Sequence, residues 1–202
     1  VFTGGGGVDT FIAGAGNDTL DAGIVDDPAT QGNVLLGGDG DDTYHVRNVF
    51  DFVDEGNVFP QFGGGGFDTI ISHASFFFDV NGAGDRLIIA DDAATLDGIS
   101  VLVGGTNDSE IIGNAGNNIL ASTGGADSYR AGDGVDAILL QQFVADPAVD
   151  GANTVVVEAR TSGAFSYDVV HGFESGKDGF DVSAFGLASA DAAFATGQND
   201  GL

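Results

Sequence analysis

Gly4-Gly5-Gly6-Gly7-Val8-Asp9-Thr10-Phe11-Ile12 is followed without a gap by Ala13-Gly14-Ala15-Gly16-Asn17-Asp18-Thr19-Leu20-Asp21. Both nonapeptides place glycines first, an aspartate sixth and an apolar residue eighth. The unit returns at Gly37 to His45, Gly63 to Ile71 and Ala131 to Leu139. Glycine reaches positive φ without steric cost, so paired glycines suit a tight turn. The three residues after the aspartate suit a short strand with only the middle one pointing inward. Glycine and aspartate set the register, which leaves the eighth place as an independent check. It holds Phe11, Leu20, Leu35, Tyr44, Ile70, Ile111, Leu120, Tyr129 and Ile138. From a chain that is 43% apolar, nine of nine arises by chance about once in two thousand draws.

These units form two blocks. The first spans 1–45; its third copy starts at Ala22-Gly23, carries an insertion through Asp26, Asp27 and Pro28, and resumes at Asn33-Val34-Leu35-Leu36. The second, 104–139, is four gapless nonapeptides with Ser109, Asn118, Asp127 and Asp136 in the sixth place. Between them, 46–103 reads as spacer strands with one isolated repeat at 63–71; the stretch up to Gly63 reads as extended structure that packs beside the repeats. Within 46–103, Ser75 to Val80, Leu87 to Ala90 and Ile99 to Val103 read as strands. Asn153 to Glu158 reads as a strand buried on both faces or covered by a loop. Residues 140–202 read as a C-terminal capping region, truncated, and Val1-Phe2-Thr3 fits the last places of an earlier repeat with Phe2 inward. The expectation is a segment of a longer chain.

The repeats resemble the nonapeptides of the RTX, or hemolysin-type, calcium-binding family. Asp168 to Ser183, with His171-Gly172-Phe173 and Asp178-Gly179-Phe180-Asp181, resembles the cap of such modules. The resemblance implies an all-β fold, a parallel β-roll or β-solenoid with calcium-binding Gly/Asp turns and a C-terminal β cap. Two nonapeptides then make one coil. That places Asp18 over Asp42, Asp9 over Asn33, Asn118 over Asp136 and Ser109 over Asp127, with Leu20 over Tyr44 and Leu120 over Ile138. The partner of Asp68 stays open. The expected metal ligands are Asp9, Asp18, Asn33, Asp42, Asp68, Asn118, Asp127 and Asp136, holding several Ca2+ ions. Calcium takes six to eight oxygens in loose geometry, which suits stacked turns rich in carbonyls and carboxylates.

Composition agrees. There are 31 acidic residues against five Lys plus Arg, a formal charge of −26. Only Glu55, Glu110, Glu158 and Glu174 are glutamates, and aspartate is both the turn residue and the compact oxygen donor. Self-repulsion at this charge disfavours compaction without counter-ions, so folding is expected to wait for calcium. Nucleic acid is excluded as a partner by like charge. No cysteine is present, so no disulfide staples the fold. No apolar run of membrane length occurs, and no membrane insertion is expected. Sites of the extracellular type fill at about 0.1–1 mM calcium, which points outside the cell or to its surface.

Catalysis is not expected. His45, His73 and His171 lack zinc-type helical spacing, and neither His-Glu-x-x-His nor Gly-x-Ser-x-Gly occurs. The expected function is a non-catalytic structural module of a secreted bacterial protein of adhesin, surface-layer or filament type, with self-assembly or cell-surface polysaccharide contacts as partners. The alternative is a secretion and folding module of a type I-secreted enzyme, such as a serralysin-like protease, lipase or alginate epimerase.

Overall fold

The computed structural model describes residues 1–24, 31–55, 64–79, 84–93, 98–140, 151–158 and 168–185. The insertion at Asp26 to Pro28, Gly63, Val80 and the tail from Ala188 lie outside them. Seventeen strands, all paired in parallel, follow one another along the chain: β1 Phe2–Thr3, β2 Thr10–Ala15, β3 Thr19–Asp21, β4 Val34–Asp39, β5 Thr43–Val46, β6 Phe52–Asp54, β7 Thr69–Ser72, β8 Phe76–Phe78, β9 Arg86–Ile89, β10 Ile99–Val103, β11 Glu110–Ile112, β12 Asn117–Ala121, β13 Ser128–Arg130, β14 Ala137–Leu139, β15 Thr154–Val156, β16 Val169–His171 and β17 Gly179–Asp181. No α-helix occurs among the described residues, and none is long and apolar enough to cross a membrane.

Odd-numbered strands form one nine-stranded sheet in chain order, β1 to β17. Even-numbered strands form the facing wall in two pieces, β2-β4-β6 and β8-β10-β12-β14-β16. Alternation of successive strands between two parallel walls is the path of a β-solenoid. The expected register holds: Leu20 pairs with Tyr44 and Leu120 with Ile138. Phe2 pairs with Leu20 and extends the same file.

Each strand sends one or two side chains inward, and these build the core. Leu20, Tyr44, Ile70, Leu87, Ile111 and Tyr129 line one wall, all fully buried. Leu35, Val53, Phe77, Leu102, Leu120 and Ile138 face them from the other. Each such aliphatic side chain contributes roughly 2 kcal/mol by leaving water. Turn glycines let coils stack at close range. Gly40 has φ +130° and Gly134 φ +129°. A Cβ on Gly40 would fall against the carbonyl of Gly16, and one on Gly134 against that of Gly116.

Two expectations need correction. The described part of the stretch up to Gly63 does not pack beside the roll; its β6 joins β4 in the same wall, and β7 to β10 continue both walls. An inward residue every coil (Val53, Ile70, Phe77, Leu87) suffices for membership, with or without the glycine turn. Asn153 to Glu158 is not buried on both faces. Val155 is buried, while Thr154 and Val156 are half-exposed, because among the described residues no outer layer covers this wall and alternate residues meet water. The segment from Asp168 to Ser183 adds the last strand to each wall, β16 on β14 and β17 on β15, with Phe173 stacked on Phe180 at 4.9 Å.

Candidate metal centre

Parallel register brings the sixth-place residues of successive coils one above another. Because Thr19 pairs with Thr43 and Thr43 with Thr69, Asp18, Asp42 and Asp68 stand in one file. From Asp42 onward, a side-chain oxygen of each holds the coil before it. The Asp18 N–H donates to Asp42 Oδ1 at 2.7 Å, the Asp42 N–H to Asp68 Oδ1 at 2.8 Å, and the Asp68 N–H to Asp85 Oδ2 at 3.0 Å. Further along, the Ser109 N–H donates to Asp127 Oδ1 (2.9 Å), the Asp127 N–H to Asn153 Oδ1 (2.9 Å) and the Asn153 N–H to Asp178 Oδ1 (3.0 Å). The opposite corner repeats the device. The Asp9 N–H donates to Asn33 Oδ1 (2.7 Å), the Asn33 N–H to Asp51 Oδ1 (2.8 Å), and the Asn118 N–H to Asp136 Oδ1 (2.8 Å).

The eight residues read from spacing therefore fall into two files. Asp18, Asp42, Asp68 and Asp127 share one, and Asp9, Asn33, Asn118 and Asp136 the other. Asp51, Asp85, Asn153 and Asp168 join them from outside the nonapeptides read in the sequence, although Gly82 and Gly84 precede Asp85 and Gly151 precedes Asn153. Their signal is the inward apolar residue two places on: Val53, Leu87, Val155 and Val170.

One oxygen of each carboxylate is thus committed to backbone; the other decides what the corner can bind. At Asp42 the second oxygen is fully buried and has no hydrogen-bond partner, and the same holds for the Tyr44 hydroxyl. Glu55 joins them. Leu36 pairs with Asp54, so Glu55 stands beside Gly37, one coil further on. Oxygens of Asp42, Glu55 and Asp68 all lie within 4.8 Å of one another. Neither Glu55 oxygen has a well-formed hydrogen bond, although the Gly37 and Gly38 amides favour its ionised form.

Electrostatics in this corner are unfavourable for the bare protein. Burial, with Asp68 and Asp42 adding repulsion, pushes the Glu55 carboxyl up to about 9. Burial likewise lifts Asp68 to about 6 and raises Asp42. Among the described residues no basic side chain pairs with the three. Arg47 pairs with Asp21, Arg86 and Arg130 with Glu110, Arg130 also with Glu158, and Lys177 with Glu174. Three clustered carboxylates without a counter-charge suit a hard cation that prefers oxygen, calcium before zinc. Asp42 and Asp68 were legible from the nonapeptide; Glu55 was not, since it stands where the repeat has glycine.

The outer face carries a separate polar chain. His45 Nδ1 and His73 Nε2 are 3.1 Å apart, and His73 Nδ1 lies 2.6 Å from exposed Asp92 Oδ1. The outward placement of His45 follows from its ninth place; its meeting with His73 comes from the pairing of β5 with β7. No family model, curated protein or solved structure matches this chain.

Proposed function

We propose that this chain is a calcium-folded structural module of the RTX type, without catalytic activity, belonging to a secreted bacterial protein at the cell surface or in the extracellular medium. One observation carries the reading. Asp42, Glu55 and Asp68 converge from two coils with no protein cation to balance them among the described residues, where Asp42 Oδ2 is also buried without a partner. An ion there binds two successive turns together and offsets a repulsion that grows with every coil. The nonapeptide resemblance supports calcium as that ion, and the ordered files of Asp and Asn extend the same logic along both corners. Filling at millimolar calcium makes export the folding trigger.

Circular dichroism with chelator, then with calcium, tests the proposal. Strand signal is expected to rise on adding calcium, and Asp42→Ala to lower the calcium-dependent Tm more than Asp91→Ala, whose site is exposed. Equal strand content in chelator and calcium, together with equal effects of the two variants, would overturn it.

A further inference from the structure

Two corners of the nine-stranded wall are built from the same places of the repeat and are completed differently. In one, the first, sixth and eighth places are Gly37, Asp42 and Tyr44; in the other they are Ser122, Asp127 and Tyr129. At the second corner the Tyr129 hydroxyl donates to Ser122 Oγ at 2.8 Å, and the Ser122 hydroxyl donates to Asp127 Oδ2 at 2.5 Å. All three residues are at most 1% exposed. The buried carboxylate is satisfied by protein alone. At the first corner no side chain stands at Gly37. A Cβ there would overlap both Asp42 Oδ2 and the Tyr44 hydroxyl, two of the buried atoms without a hydrogen-bond partner among the described residues. What Ser122 Oγ does between Asp127 and Tyr129, nothing among the described residues does between Asp42 and Tyr44.

The neighbouring coil repeats the contrast. Glu55 follows Asp54, the partner of Leu36, and so flanks Gly37. Leu140 follows Leu139, the partner of Ala121, and so flanks Ser122. The sixth-place neighbour is Asp68 in the first case and the neutral Asn153 in the second. The first corner gathers three carboxyls and the Tyr44 hydroxyl, with no counterpart of the Ser122 hydroxyl. The second holds one carboxyl, a hydroxyl and a fully buried leucine.

Resting on the calcium reading, we infer that the Ser122 hydroxyl replaces an ion in its own corner, so that the Gly37 corner takes a divalent oxygen-seeking cation and the Ser122 corner takes none. A lone buried carboxylate oxygen is satisfied by one donated hydrogen bond. Three carboxylates need positive charge, which no hydroxyl supplies. Asp127, a ligand by spacing, is on this proposal committed to Ser122 and Tyr129. The roll then contains ion-locked and self-locked coils, and its C-terminal half holds some coils together independently of calcium.

Exchanging the two constellations tests this. The pair Gly37→Ser with Glu55→Leu installs the closed corner's serine and leucine; Ser122→Gly with Leu140→Glu, combined with Asn153→Asp and called the second pair for short, installs the open corner's glycine and its two further carboxyls. Calcium stoichiometry is read by calorimetry. Terbium emission, sensitised by tyrosine in a chain without tryptophan, reports which corner holds the ion. The first pair is expected to bind one ion fewer than the parent and to lose the emission excited through Tyr44. The second pair is expected to bind one ion more and to gain emission through Tyr129, which decides the matter if the first pair does not fold. A parent protein that binds calcium while both pairs keep its stoichiometry overturns this inference and leaves the calcium module standing. A parent protein that binds none overturns both.

Discussion

Replacing Glu55 by glutamine should stabilise the metal-free protein and weaken the calcium-bound one. The two effects have one origin. In the unfolded chain Glu55 titrates near its ordinary 4.5, and in the metal-free fold near about 9. A carboxyl raised on folding contributes stability that is complete below 4.5 and is lost as pH climbs through 9. At about pH 7.5, folding without metal obliges Glu55 to take up a proton across about three pH units. At roughly 1.4 kcal/mol per unit the cost is at most about 4 kcal/mol. Glu55 is only partly enclosed, and solvent screening brings the figure nearer 2 kcal/mol. Glutamine keeps the shape and carries no such cost. In a chain of this length the chelated Tm should rise by about 4–8 °C. With calcium the sign reverses. One of three carboxylates is gone, and affinity at this corner should fall tenfold or more, about 1.4 kcal/mol. Thermal melts by circular dichroism, in chelator and in 5–10 mM calcium (roughly ten times the filling range), read both halves. A variant that melts lower than the parent in chelator, or whose calcium-induced rise is unchanged, refutes the assignment of Glu55 to the ion.

The pH dependence of the parent follows from the same groups. With Asp68 raised to about 6 and Glu55 to about 9, strand content in chelator should decline from about pH 4 towards pH 9, and saturating calcium should flatten the curve; a chelated protein that gains stability with rising pH would contradict it. Gly40→Ala should cost more than about 1 kcal/mol, since φ is +130° and the Cβ meets the Gly16 carbonyl. Gly5→Ala, with nothing within 4 Å of its Cβ, should change the melt by less than half that amount, and equal shifts would count against the stacked-turn geometry. Leu120→Ala, at a fully buried place between Leu102 and Ile138, should cost about 2–5 kcal/mol in a calcium-saturated denaturant melt. Glu110→Gln, on the outer face between Arg86 and Arg130, should cost under about 1 kcal/mol.

Repeat grammar alone determined the inward file from Leu20 to Ile138; the parallel β architecture and the alignment of Asp18 with Asp42 and of Asn118 with Asp136 came from the family resemblance that this grammar carries. Local chemistry explains why. A glycine turn, a short side-chain acceptor and one apolar residue specify a coil without reference to the rest of the chain, so a nine-residue period is enough to read it. The tertiary structure decided the remainder, because it depends on which coils become neighbours. Asp51, Asp85, Asn153 and Asp168 join the files through strand pairing, although none of them stands in a nonapeptide legible from its own sequence. Glu55 becomes part of an acidic cluster only because β6 pairs with β4 and carries it beside Gly37. Ser122 lies in a nonapeptide that differs little from the others, yet the packing of Tyr129 and Asp127 around it closes a corner that Gly37 leaves open. Contacts between coils separated by eighteen to twenty-six residues have no signature in any single repeat; they exist once the solenoid stacks them.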